Sequence, residues 1–243
     1  MSTAFYDDQY MRMDDHVWQW RELGGAAKAR NIVSIVRDLP ISSVVDVGCG
    51  TGTVLAHLSR LRLGQAYYAL DISNRAISFV NSRGDITGLV ASRTFDGAHL
   101  PYNDQQFDLA VLSHVIEHLI DPIPLLREAA RVARYLAVEV PLEDNLYTHL
   151  KVRLLRSRYR EELGHVQWFN RHNFRSLLEC SCGLEVVSMN VVYLPDELYF
   201  FRKRSSRGLV SVSLALRKAL RALSDDLYTC LLTDHCIALV RAS

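Results

Sequence analysis

VVDVGCGTG, residues 44–52, joins a β-branched run to a loop in which every second residue is glycine. SVVDV (43–47) reads as a buried strand, and TVLAHLSRL (53–61) has helical spacing. Glycine lets the backbone turn tightly and approach a ligand without a Cβ in the way. The helix start behind it offers free N–H groups to an anion. A dinucleotide fingerprint, G-x-G-x-x-G, would put its third glycine at 53, where this chain has Thr53. Asp46, just before the loop, also disfavours a pyrophosphate. A carboxylate there repels phosphate and suits a ligand with an ammonium group.

Outward from the loop, strands and helices alternate. QAYYALD (65–71), GLVASRTFD (88–96), FDLAVLS (107–113) and YLAVEVP (135–141) read as strands. NRAISFVNSR (74–83) and DPIPLLREAARVA (121–133) read as helices, the latter with Asp121 as N-cap. GAAKARNIVSIVRD (25–38) is a helix before the first strand. This order predicts an α/β protein with a parallel sheet covered by helices on both faces. Ligands of such sheets bind beyond the carboxyl ends of the strands.

The acids at those ends are informative. Asp71 lies 23 residues after Gly48, where a carboxylate can accept both hydroxyls of a ribose. Asp96, before Gly97, can accept from an adenine amino group. With Asp46, these positions ask for a ligand with an amino-acid end, a ribose and an adenine. S-adenosylmethionine fits.

The loop, Asp71, DGAHLPY (96–102) and FDLAVLSHVIEHLIDP (107–122) together resemble the successive motifs of class I S-adenosylmethionine-dependent methyltransferases. The resemblance spans about residues 40–142 and extends more weakly through GHVQWFNRHNFRSLL (164–178). It implies a Rossmann-like, seven-stranded, mostly parallel sheet with helices on both faces and the last strand antiparallel. It implies a helical lid over 1–38 and a methyltransferase domain over 39–243, with helical insertions at about 143–168 and 195–233. The cofactor would be bound by Asp46, Gly48, Cys49, Gly50, Gly52, Asp71, Ile72, Asp96, Gly97, Ser113 and His114. In this family N-terminal segments often cover the active site, and Tyr6, Tyr10, Trp18 and Trp20 would make an aromatic cover.

Methyl transfer from a sulfonium needs a positioned acceptor and, for a hydroxyl, a base. Histidine has the right pKa, so His114, His118 and His165 are the candidate catalytic residues. His114, Glu117 and His118 also spell the H-x-x-E-H of some zinc peptidases. That motif needs a long helix, and Asp121-Pro122 ends one here. Two metal-dependent branches of the methyltransferase family carry E-x-x-E-H and a later histidine at the same place. They are the ubiquinone-pathway O-methyltransferases and the small-RNA 3′-terminal 2′-O-methyltransferases. Glu117, His118 and His165 match their pattern, and His114 replaces its first Glu. The expectation is a site without metal; in those branches' manner, Glu117, His118 and His165 would be the ligands.

The expected reaction is O-methylation of a small-molecule acceptor. The alternatives are a metal-assisted methyltransferase on an RNA 3′ end or another macromolecule, and a non-catalytic cofactor-binding domain. The net charge of +1 gives no pull toward nucleic acid or membrane. No apolar run reaches the ~18 residues of a membrane span. Cys49, Cys180, Cys182, Cys230 and Cys236 are odd in number and irregularly spaced, and they read as reduced thiols in a cytoplasm. Twelve of the 28 basic residues lie in two stretches. One holds Lys151, Arg153, Arg156, Arg158 and Arg160; the other holds Arg202, Lys203, Arg204, Arg207, Arg217, Lys218 and Arg221. They read first as solvated helix faces and otherwise as a site for an anionic acceptor. The helix VSVSLALRKALRALS (210–224) carries leucines that suit a homodimer or a membrane surface.

Overall fold

Strand β1 (Ser43–Val47) is buried over almost its whole length. Helices cover both faces of it, which is why its sequence shows no alternation. The computed structural model describes residues 3–155, 164–202 and 207–242. Strands β2 (Ala66–Asp71), β3 (Leu89–Thr94), β4 (Phe107–Ser113) and β5 (Ala133–Pro141) run parallel to β1. The seven-stranded order is β3-β2-β1-β4-β5-β7-β6, completed by β6 (Glu185–Val192) and β7 (His235–Arg241). Strand β7 is antiparallel to both of its neighbours. Strand order reverses at β1, so a crevice forms where the carboxyl ends of β1 and β4 diverge.

Two apolar layers hold the sheet. Helices α2 (Asp15–Val36), α3 (Thr53–Arg60) and α4 (Asn74–Ser82) bury Ile32, Val36, Leu55, Leu58 and Val80 on one face. On the other face α5 (Ile123–Val132) buries Leu125, Leu126 and Ala129 beside Phe107 and Leu136. Phe174 joins them from α7 (Arg171–Ser176), which runs on into a π turn at Leu177–Ser181. The helical stretch 171–181 is therefore regular only in its first part.

The helix expected at 25–38 begins earlier. It is capped by Asp14, whose carboxylate accepts from the Val17 N–H at 2.8 Å, and it runs straight through Gly24-Gly25. The glycine is there for contact: a Cβ on Gly25 would sit 2.7 Å from the Thr53 side chain. This close approach seats α2 on the start of α3. Before it, α1 (Thr3–Met11) lies across α4, with Tyr10 and Trp18 against Phe79.

The remaining helices follow β5 and β6. They are α6 (Leu146–Leu155), α8 (Asp196–Arg202), α9 (Arg207–Leu223) and α10 (Asp225–Leu231). Arg217, Lys218 and Arg221 of α9 do not form a free cationic face. Arg221 reaches the fully buried Asp234 at 3.0 Å and Arg217 approaches it at 3.6 Å, while Lys218 pairs with Asp196 at 2.6 Å. Arg156, Arg158, Arg160, Lys203 and Arg204 lie outside the described residues. Among the described residues, no helix is long and apolar enough to cross a membrane.

Candidate functional site

Gly48, Gly50 and Gly52 all adopt positive φ, at +78°, +54° and +73°, which side chains with a Cβ rarely accept. The Gly48 and Cys49 N–H groups donate to the Leu70 carbonyl, and the Gly50 N–H donates to Asp71 Oδ2 at 2.9 Å. Asp71 Oδ1 accepts from the Ser73 N–H at 2.9 Å. A Cβ on Gly48 would meet Val115 at 2.6 Å. The glycine loop is thus clasped between the end of β2 and the segment after β4.

Asp46 is buried beneath this loop and its Oδ2 has no partner among the described residues. Burial pushes its carboxyl up to about 7, helped by Asp71 and opposed by Lys28. Thr51 Oγ1 and Ser113 Oγ are likewise buried and unpartnered. The Cys49 thiol is buried, which pushes its pKa up and keeps it unreactive. Gly97, at φ +87°, lies against Ile72. Asp96 is exposed and serves its own turn, accepting from the Ala98 and His99 N–H groups at 2.8 and 2.7 Å. Those backbone donors hold its carboxyl well below the usual range.

Two helices within the N-terminal stretch expected to be a lid reach the same crevice. Tyr10 of α1 has its hydroxyl 3.2 Å from where a Gly50 Cβ would stand, and Arg21 of α2 packs over the Tyr10 ring. Asp7 accepts from the Ser73 hydroxyl. Tyr6 packs edge-on against His118, with ring centroids 5.9 Å apart. Lys28 of α2 feels the charges of Glu139, Glu117 and Asp46, and burial lowers its pKa despite them.

The segment after β4 is a tight turn, with a 3₁₀ helix only at Ile116–His118. It cannot be the long helix of a peptidase. His114 opens it at φ +60°, and its N–H donates to the Glu139 carbonyl at 2.9 Å. Side chains then gather in two sets. In one, His114 Nε2 lies 3.2 Å from His235 Nδ1, and that atom lies 3.1 Å from Glu139 Oε1. In the other, Glu117, His118 and His165 converge. The Glu117 carbonyl accepts from the Val166 and Gln167 N–H groups, which ties the later segment to the turn. His118 Nδ1 sits 3.1 Å from the Gly164 carbonyl, so it carries the proton and leaves Nε2 a lone pair. Burial lowers the His118 pKa, with Glu117 opposing. Burial alone would raise Glu117, but His114, His118 and His165 outweigh it and hold it at about 2. His114 Nδ1 and Glu117 Oε1, 3.2 Å apart, link the two sets.

A family model for the methyltransferase domain matches residues 20–189. The chain belongs to the methyltransferase-domain family. The motif resemblance to class I S-adenosylmethionine-dependent methyltransferases is borne out, as is the seven-stranded sheet with its antiparallel last strand. Ajmaline N-methyltransferase of Rauvolfia serpentina is 32% identical over 94 residues, covering 37% of this chain and 32% of that protein. Fatty-acid O-methyltransferase of Mycolicibacterium smegmatis is 36% identical over 98 residues, covering 40% and 35%. The matches span about a third of the length of these curated relatives. Geranyl diphosphate methyltransferase in complex with S-adenosylmethionine superposes with a TM-score of 0.63 at 14% identity, over 90% of this chain and 85% of that one.

The family's cofactor fits what the crevice offers. The Asp46, Thr51 and Ser113 oxygens, unpartnered among the described residues, want hydrogen-bond partners. When bound, S-adenosylmethionine supplies an electrophilic methyl group on a sulfonium. The structure brings Asp46, Gly48, Cys49, Gly50, Gly52, Asp71 and Ser113 around one crevice, with His114, His118 and His165 beside it. Asp96 stands at its exposed rim. Sequence reasoning missed Arg21, Lys28, Glu139, Glu143 and His235. Each looks ordinary in its own helix or strand, and only folding brings it to the crevice.

Proposed function

We propose that the chain is a methyltransferase acting on an oxygen of a small-molecule acceptor. Asp46 would hold the cofactor's ammonium group, Asp71 the ribose, and Ile72, Asp96 and Gly97 the adenine edge. The glycine loop, Cys49 and Ser113 would line the methionine part, and Arg21 would pair its carboxylate. The observation that carries oxygen as the acceptor is the His118–His165 pair, with ring centroids 4.9 Å apart beside the cofactor crevice. His165 Nδ1 lies 2.6 Å from Glu143 Oε2, so its orientation is fixed by a carboxylate. His118 presents an Nε2 lone pair as the base. His114, engaged at both ring nitrogens, would position the turn beside the sulfonium. Helices α1 and α2 would form a lid, because Tyr6, Tyr10 and Arg21 already lie over the crevice.

A second reading has a specific support. Glu117, His118 and His165 lie close enough to share a divalent ion, which would make the transfer metal-assisted. Calorimetry with S-adenosylhomocysteine tests the cofactor site. Methyl transfer from labelled cofactor to hydroxyl, amine and carbon acceptors and to short RNAs, with and without chelator, tests the rest. Transfer to amines alone would end the oxygen proposal, and loss of transfer in chelator would favour the second reading.

A further inference from the structure

The set formed by His114, Glu139 and His235 adds to His114 two residues, Glu139 and His235, that the motif comparison did not single out. His114 follows β4, Glu139 is in β5, and His235 opens β7. The three facing atoms are His114 Nε2, Glu139 Oε1 and His235 Nδ1, with separations of 3.2, 3.1 and 3.8 Å. A point equidistant from these three atoms lies about 2 Å from each, which is the bond length of zinc to histidine nitrogen and carboxylate oxygen.

Hydrogen bonding alone serves this set poorly. His235 Nδ1 can hold one proton, yet it faces both a carboxylate oxygen and a ring nitrogen. Glu139 is fully buried, and its other oxygen, Oε2, has no partner among the described residues. Glu117 is fully buried as well. The two buried carboxylates share Lys28 and the neighbouring imidazoles as their counter-charges.

The surroundings also orient the ligands. Glu117 Oε1 lies 3.2 Å from His114 Nδ1, on the far side of the ring from the three-atom set. A carboxylate there keeps the proton on Nδ1 and turns the Nε2 lone pair inward, as outer carboxylates do for metal-bound histidines. The left-handed backbone at His114 holds the ring in this place. The set is reachable, since the His114 and His235 side chains are 19% and 14% exposed.

We propose that His114 Nε2, Glu139 Oε1 and His235 Nδ1 bind a divalent transition-metal ion of the Zn²⁺ or Co²⁺ class. Two imidazoles and one carboxylate suit such ions better than Mg²⁺ or Ca²⁺. Three protein ligands leave a coordination position for water or an acceptor oxygen. The site is distinct from the Glu117, His118 and His165 set, and its binding needs no methyl donor.

The test uses the full chain, stripped with chelator and titrated with Co²⁺, followed by visible absorption and Zn²⁺ competition. One equivalent is expected to bind. His235→Ala and Glu139→Gln are each expected to weaken binding by about tenfold or more, while His118→Ala and His165→Ala stay within about threefold. Failure to take up one equivalent overturns the proposal, as does loss in His118→Ala or His165→Ala with retention in His235→Ala. Anomalous diffraction from wild-type crystals grown with Zn²⁺ needs no variant. A peak within about 2.2 Å of all three atoms supports the site. A peak at Glu117, His118 and His165 or at an exposed cysteine, or no peak, overturns it.

Discussion

His165 Nδ1 and Glu143 Oε2 are 2.6 Å apart, in a pair whose side chains are only 10% and 2% exposed. A carboxylate in that place fixes the tautomer of the ring and steadies any positive charge it acquires. Glu143→Gln keeps the shape and removes the charge. It should lower kcat for an oxygen acceptor by about 10²-fold with little change in KM. Steady-state kinetics on the best acceptor from the panel would show it, and an unchanged kcat would remove the dyad from the reaction.

Asp46 carries a pH signature. Its native pKa of about 7 stands above the ordinary 3.8 of the unfolded chain. Between those values the native state binds the proton more tightly. The stability this gives at low pH is lost as pH rises from about 4 to about 7, an effect of about 4 kcal/mol. Asp46→Asn should flatten that slope in urea unfolding at pH 5 and 7.5. Cofactor affinity should run the other way, rising toward pH 7 as the carboxylate ionises to meet an ammonium group. An affinity that is flat over this range in the wild type would argue against the assigned partner.

Arg21 is expected to matter to the cofactor more than to the fold. Its guanidinium lies beside the glycine loop, 3.8 Å from a Cβ position on Gly50. Losing a charge-assisted bond to a carboxylate costs about 1.5–3 kcal/mol, so Arg21→Ala should weaken S-adenosylhomocysteine binding by at least about tenfold. Calorimetry beside a melting curve separates this from unfolding.

Gly25→Ala reverses the usual rule for helices. Alanine normally gains about 1 kcal/mol over glycine in a helix interior. Here the new methyl would sit 2.7 Å from the Thr53 side chain and 3.1 Å from its backbone carbon. Overpacking costs about 1–3 kcal/mol, so the variant should melt lower than the wild type. A higher melting temperature would mean that α2 does not seat as closely on α3 as described.

The parts legible in the sequence were those written locally. The glycine loop, Asp71 and the alternation through β5 each follow from a few neighbouring residues, and each stands where the pattern put it. The α2 helix was half legible, because Gly24-Gly25 looks like a helix start until Thr53 is seen against it. His235 was not legible. It reaches Glu139 only because β7 pairs with β5, and no feature of HCIALVRA states that partner. The basic face of α9 misled for the same reason: Arg217 and Arg221 turn toward Asp234, a residue beyond the next helix.

Asp234 gives a last stability prediction. It is fully buried, accepts from the Leu194 N–H at 3.0 Å and from the Tyr228 hydroxyl, and meets two arginines. Removing one partner of a buried ion pair strands the other charge, at a cost of about 3–5 kcal/mol. Asp234→Ala should show that loss in chemical denaturation, and a change under about 1 kcal/mol would contradict it.

The place of β7 between β5 and β6 also bears on how the chain is made. Pro141 pairs with His235, so β5 waits through the synthesis of about ninety further residues before its outer edge is covered. Until then the nascent protein presents an open, apolar strand edge to every neighbouring chain. Strand β7 closes that edge and delivers His235 to Glu139 in one event. The β5 edge is therefore where mispairing threatens this fold, during the interval before β7 emerges.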